Sequence, residues 1–73
     1  MTFKIIGYNT LNGIRLQRIL VKIANKVDAK VTIKLLESNE NNLPILYIND
    51  KLISKGKVLS ERELTKYIRR INI

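Results

Sequence analysis

Residues 3–27, FKIIGYNTLNGIRLQRILVKIANKV, change their hydrophobic period part-way along, and that change decides the fold. Up to Gly7, Phe3 and Ile5 alternate with Lys4 and Ile6. A short apolar run ending at a glycine predicts a buried strand. Beyond the glycine, Leu16, Leu20, Ile23 and Val27 recur at steps of four, three and four, flanked by Ile19 and Ala24. That spacing predicts one face of a helix over about residues 12–27. Thr10 or Asn12 is placed to cap it, because a side-chain oxygen there accepts from an otherwise unpaired backbone N–H.

Working outward, residues 30–36, KVTIKLL, set Val31, Ile33 and Leu35 against Thr32, Lys34 and Leu36. This β-branched alternation predicts a second strand. The polar run ESNENN has no apolar face to bury and reads as a loop. Leu43-Pro44 then leads into ILYI, Asn49-Asp50-Lys51 turns the chain, and LIS returns it as a hairpin. Pro44 is tolerated at a strand start, where its missing N–H matters least. Ser60 followed by Glu63 forms a capping box, and Leu59 with Leu64 has the spacing of a hydrophobic staple. Leu64, Tyr67, Ile68 and Ile71 form the apolar stripe of the last helix, so Tyr67, like Phe3, is expected in the core. The order is β-α-β-β-β-α. The first unit is expected as a right-handed βαβ crossover with parallel strands. Two helices then cover a four-stranded mixed sheet on one or both faces.

The chain has 73 residues, enough for one domain with a small core; such a chain buries roughly 60% of its unfolded surface. It has no cysteine and no histidine. Thiol chemistry, disulfides, the usual zinc sites and a histidine general base are therefore excluded, and no cofactor or metal is expected. No apolar run approaches the ~20 residues of a membrane helix. The opening MTFKIIGY is too quickly interrupted to read as a signal peptide, so the cytoplasm is the expected compartment. A net charge of +8 fits attraction to nucleic acid, an anionic membrane or an acidic protein, and equally a lysine-rich, isoleucine-rich and asparagine-rich compositional bias.

Strand, glycine, turn, helix, strand, loop, X-Pro, hairpin and terminal helix is an order that resembles the thioredoxin-like fold. The closest resemblance is to the minimal, glutaredoxin-sized "redox-active disulfide" proteins. Their Gly-x-x-Cys-x-x-Cys turn aligns with Gly7, Tyr8, Asn9, Thr10, Leu11, Asn12 and Gly13, so Thr10 and Gly13 stand at the two cysteine positions. Leu43-Pro44 stands at the family's cis-proline dipeptide, and PILYINDKLISKGKVLSEREL is similar to the family's segment after that dipeptide. The resemblance covers nearly the whole chain and departs in two places. Both cysteines are gone, which removes thiol–disulfide exchange because the thiolate is the nucleophile. The helix expected before the proline is shortened to a loop or lost, and an uncovered apolar sheet face would invite a homodimer.

The resemblance implies a binding edge made by Tyr8, Asn9, Thr10, Asn12, Leu43 and Pro44, where the family holds extended peptides beside the proline. The implied function is non-catalytic binding of a protein or peptide. The same residues equally serve to pack the turn. The resemblance extends to glutathione binding, but the acidic Gly-Asp pattern that accompanies it in glutaredoxins is absent. Thr10 lacks a base to activate it; the nearest acid in sequence is Asp28. Five residues separate Gly7 from Gly13 and Ile14-Arg15 follow, so the nucleotide-loop pattern fails. An anion at the N–H groups of the first helix is a weaker reading than glycines serving the turn. From another class, Arg15, Arg18, Lys22 and Lys26 step by three, four and four along the first helix. Such a basic patch suits phosphates and makes a nucleic-acid-binding protein the alternative, although a solvated charged face has the same pattern.

Overall fold

The computed structural model describes residues 1–27 and 30–71, without the side chain of Ile71. Asp28 and the stripe position of Ile71 therefore lie outside the described residues and side chains. Six elements occur in the expected order: β1 (Thr2–Ile6), α1 (Leu11–Lys26), β2 (Thr32–Leu36), β3 (Ile45–Ile48), β4 (Lys51–Lys55) and α2 (Glu61–Ile71). The first helix starts and stops one residue earlier than its apolar period suggests. The second strand omits Lys30 and Val31.

The strands form one mixed sheet in the order β2-β1-β3-β4. β1 and β2 run parallel on either side of the α1 connection, while β3 lies antiparallel to β1 and to β4. Leu36 and Ile45 both stand opposite Ile6, so the loop between β2 and β3 begins and ends at the same end of β1. It has only to step across one strand, about 10 Å in all, and a few polar residues suffice without a helix. The Leu43–Pro44 peptide at the end of this loop is cis.

The hairpin turn is tighter than the sequence suggests. Asn49 and Asp50 alone form it, both at positive φ (50° and 66°), and Lys51 already belongs to β4. Asn and Asp are the residues that tolerate this backbone in a two-residue loop. Asn49 also ties the turn to β1: its side-chain oxygen accepts from the Thr2 N–H at 2.9 Å, and its own N–H donates to the Thr2 carbonyl at 2.9 Å. The β3–β4 register slips between Leu46 and Tyr47, which leaves Ile53 as an extra residue.

Both helices lie on one face of the sheet. Phe3 and Ile5 of β1 and Leu46 and Ile48 of β3 pack with Leu16, Leu20 and Ile23 of α1 and Leu64 and Ile68 of α2 in one core cluster. The stripe read from the sequence of α1 is thus the core stripe, with Val27, Ile19 and Ala24 half-buried against it. On α2 the Ser60 hydroxyl accepts from the Glu63 N–H at 3.2 Å and donates to the Glu63 carboxylate at 3.2 Å. The second bond of the cap thus joins the two side chains. Leu59 is half-buried against the core cluster to which Leu64 belongs. Tyr67 departs from expectation: it is 38% exposed and lies outside the core. Of the expected stripe, Leu64 and Ile68 are the α2 residues in the core cluster.

Strand alternation sends the other residues to the opposite face. None of the core cluster comes from Thr2, Lys4 or Ile6 of β1, or from their neighbours in register on β2 and β3. Of the two arrangements the sequence leaves open, the helices take the one-sided form.

Candidate functional site

The turn between β1 and α1 is held by its two glycines and one threonine. Gly7 has φ +84°, and a Cβ built on it would meet the Leu43 side chain at 2.8 Å. Both its conformation and its contact with the β2–β3 loop thus demand glycine. Its N–H donates to the Leu36 carbonyl at 2.7 Å, which keeps β1 and β2 together to the last residue.

Thr10 is the cap of α1, and Asn12 is not. The Thr10 hydroxyl accepts from the Gly13 N–H at 3.0 Å and donates to the Gly7 carbonyl at 2.8 Å. Both of its hydrogen-bonding roles are taken up inside the turn, so the hydroxyl has a structural task and no base beside it. Gly13 is buried, and a Cβ on it would stand 2.7 Å from the Tyr8 Cα and closer still to the Gly7 carbonyl oxygen. These are backbone atoms that cannot swing aside. The position aligned with a second cysteine therefore has no room for any side chain. The turn has closed around glycine.

The six residues of the expected binding edge do gather at this end of the molecule, with unequal access. Asn9 and Asn12 are exposed, Tyr8, Thr10 and Leu43 are half-buried, and Pro44 is buried. The Tyr8 hydroxyl donates to the Glu37 carboxylate over a long 3.4 Å. The sequence reading missed Leu11, 68% exposed, and Ile14, 40% exposed, on the first turn of α1. Their signal was available: both are aliphatic and both lie off the Leu16, Leu20 and Ile23 stripe. None of these side chains is itself charged, and the exposed Glu37 carboxylate borders them beside Tyr8. The clearest depressions of the surface run along α2, and none is lined by the edge residues. One of them, of about 400 Å³ between β4 and α2, takes in Tyr67 and Ser54, whose buried hydroxyl has no hydrogen-bond partner among the described residues.

The alternative basic patch is partly engaged. Arg15, Arg18 and Lys22 are exposed on α1, interleaved with the exposed Ile14 and Val21. Lys26 instead reaches Glu61 of α2 at 2.6 Å. That hydrogen bond, with the Lys26 charge and more weakly that of Lys22, holds the Glu61 carboxyl below the usual glutamate range. Among the described residues there is no cluster of three or more acidic side chains able to hold a metal ion. Nor is any helix among them long and apolar enough to cross a membrane. The chain matches no protein-family model, and no curated protein or solved structure is significantly similar to it.

Proposed function

We propose that this protein is a thioredoxin-like domain without a redox centre, which acts by binding a protein or peptide at the β1–α1 edge and carries out no catalysis. The observation that carries this reading is the character of the edge. On a chain of net charge +8, Tyr8, Asn9, Leu11, Asn12 and Leu43 make an uncharged and partly apolar ledge. Small-molecule sites are concave and none of the depressions along α2 is lined by these residues, whereas protein interfaces use exposed, partly apolar side chains of this kind. The thioredoxin-like reading is supported by the order of strands and helices and by the meeting of Gly7 with Leu43 at the end of β1. The absence of catalysis is supported by the engagement of Thr10 and the closure around Gly13.

The test is a pull-down compared between the native protein and a Tyr8→Ala/Asn12→Ala variant, with chemical-shift mapping of any peptide recovered. Perturbations at Tyr8, Asn9, Leu11, Asn12 and Leu43 are the expected result. Perturbations confined to the basic face of α1 would overturn the reading. A second reading, nucleic-acid binding along α1, draws on the exposure of Arg15, Arg18 and Lys22. It requires affinity for generic DNA or RNA that falls steeply with salt, and no binding at low salt removes it.

A further inference from the structure

The face of the sheet opposite the helices is organised in two rows. Registers across β2, β1 and β3 place Leu36, Ile6 and Ile45 in line, and two residues back along the strands they place Lys34, Lys4 and Tyr47 in line. On β4 the rows continue as Lys55 and Leu52. Leu36 and Leu52 are 46% and 52% exposed. No carboxylate stands among the strand positions of this face.

Lys4 and Lys34 sit directly opposite each other on neighbouring strands. Like charges so placed are destabilising. Lys4 bends over the Tyr47 ring, 4.7 Å from its centroid, and neither lysine forms an ion pair among the described residues. Ile45 is buried and closes the apolar row, so the open ground is Leu36 and Ile6 beside Lys34 and Lys4, a surface that lacks its counter-charge. From this we propose that the open sheet face docks an acidic amphipathic segment of a partner protein. Leu36 and Ile6 take its aliphatic side chains, and Lys4 and Lys34 take its carboxylates. The inference is independent of the β1–α1 edge and stands whether or not that edge binds.

Spacing favours such a segment. A helix returns the same face every 5.4 Å, close to the ~4.8 Å between strands. Aliphatic residues one turn apart therefore fall on successive strands of the apolar row. Carboxylates displaced around the helix fall on the lysine row, about 7 Å away. A second copy of this chain fits worse, because it would set Lys4 and Lys34 against their own likeness. A nucleic-acid strand also fits worse. Base stacking uses a succession of open aromatic faces, and this face has Tyr47 alone, half-buried beneath Lys4.

The experiment titrates the full chain, labelled for NMR, with a helical peptide bearing leucines one turn apart on one side and glutamates beside them. Controls are the same peptide with every Glu as Gln and a single-stranded oligonucleotide, each at low and moderate salt. The expected result is saturable shifts at Lys4, Ile6, Lys34, Leu36 and Tyr47 with the glutamate peptide. Binding should weaken about tenfold or more for Lys4→Glu/Lys34→Glu, and also for Leu36→Ser, which leaves the charges in place. Shifts centred on Arg15, Arg18 and Lys22 would overturn the proposal. So would equal binding of the glutamine peptide, tighter binding of the oligonucleotide on this face, or dimerisation through it in sedimentation.

Discussion

The two faces of the sheet are built from the same strands by alternate residues, and they have opposite fates. Phe3, Ile5, Leu46 and Ile48 are wholly out of water beneath two helices, while Lys4, Ile6 and Tyr47, one position along, stay half-open. Strand propensity does not separate them, since isoleucine occurs on both faces. The difference lies in what covers each face. Two amphipathic helices are enough for one side, and the loop from β2 to β3 is too short to supply a third.

That contrast is broken most directly by truncating one residue from each face. Leu46→Ala should cost about 2–5 kcal/mol in urea unfolding, because it opens a cavity in the core. Leu36→Ala, on the open face, should stay within about 0.5 kcal/mol. Similar losses at both sites would mean that something covers the open face. Gly13→Ala is the next largest effect, because Gly13 governs how α1 enters the covered side. Alanine normally improves a helix interior by about 1 kcal/mol over glycine. Here the added Cβ meets the backbone of Gly7 and Tyr8, so the sign should reverse to a loss of about 1–3 kcal/mol. Thr10→Ala removes the cap of the same helix and should cost about 1 kcal/mol by the same unfolding measurement, with Thr10→Ser recovering most of it.

On the open face, Lys34→Glu should raise stability by a few tenths of a kcal/mol, because it turns a like-charged cross-strand pair into an opposite one. It should do so while weakening any acidic ligand. The smallest effect concerns the clip between the two covering helices. Glu61 has its pKa lowered by Lys26, so it adds stability above the ordinary glutamate range. This is lost as pH falls through the lowered value. In Glu61→Gln the thermal midpoint should fall less across that acid range. The difference should shrink in salt, since the pair is exposed.

Much of the fold was legible in the residues. The change of period at Gly7 separates β1 from α1, and the Leu16, Leu20 and Ile23 stripe is the buried one. Ser60 with Glu63 marks the start of α2, and Asn49-Asp50 marks the hairpin. These are local signals that act within a few residues. Tyr67 misled because periodicity says which side of a helix is apolar and not how wide a strip the sheet can receive. The candidate edge was legible as a group of residues at one end of the sheet. The exposure of Leu11 and Ile14 could be read from their place off the core stripe of α1; the burial of Pro44 could not, because it depends on how the β2–β3 loop lies against the turn.

By itself, the sequence determined the kinds and order of the elements, the main core side chains and the absence of cysteine. Each comes from residue type and spacing along the chain. Only the tertiary structure decided that both helices share one face, that the turn shuts around Gly13 and that Lys4 and Lys34 stand opposite each other on the other face, with no ion pair among the described residues. Those outcomes depend on register and close approach between segments far apart in sequence. Whether Gly13 has room for a Cβ is settled by the Gly7 carbonyl and the Tyr8 backbone, which reach it only once β1 and α1 have packed.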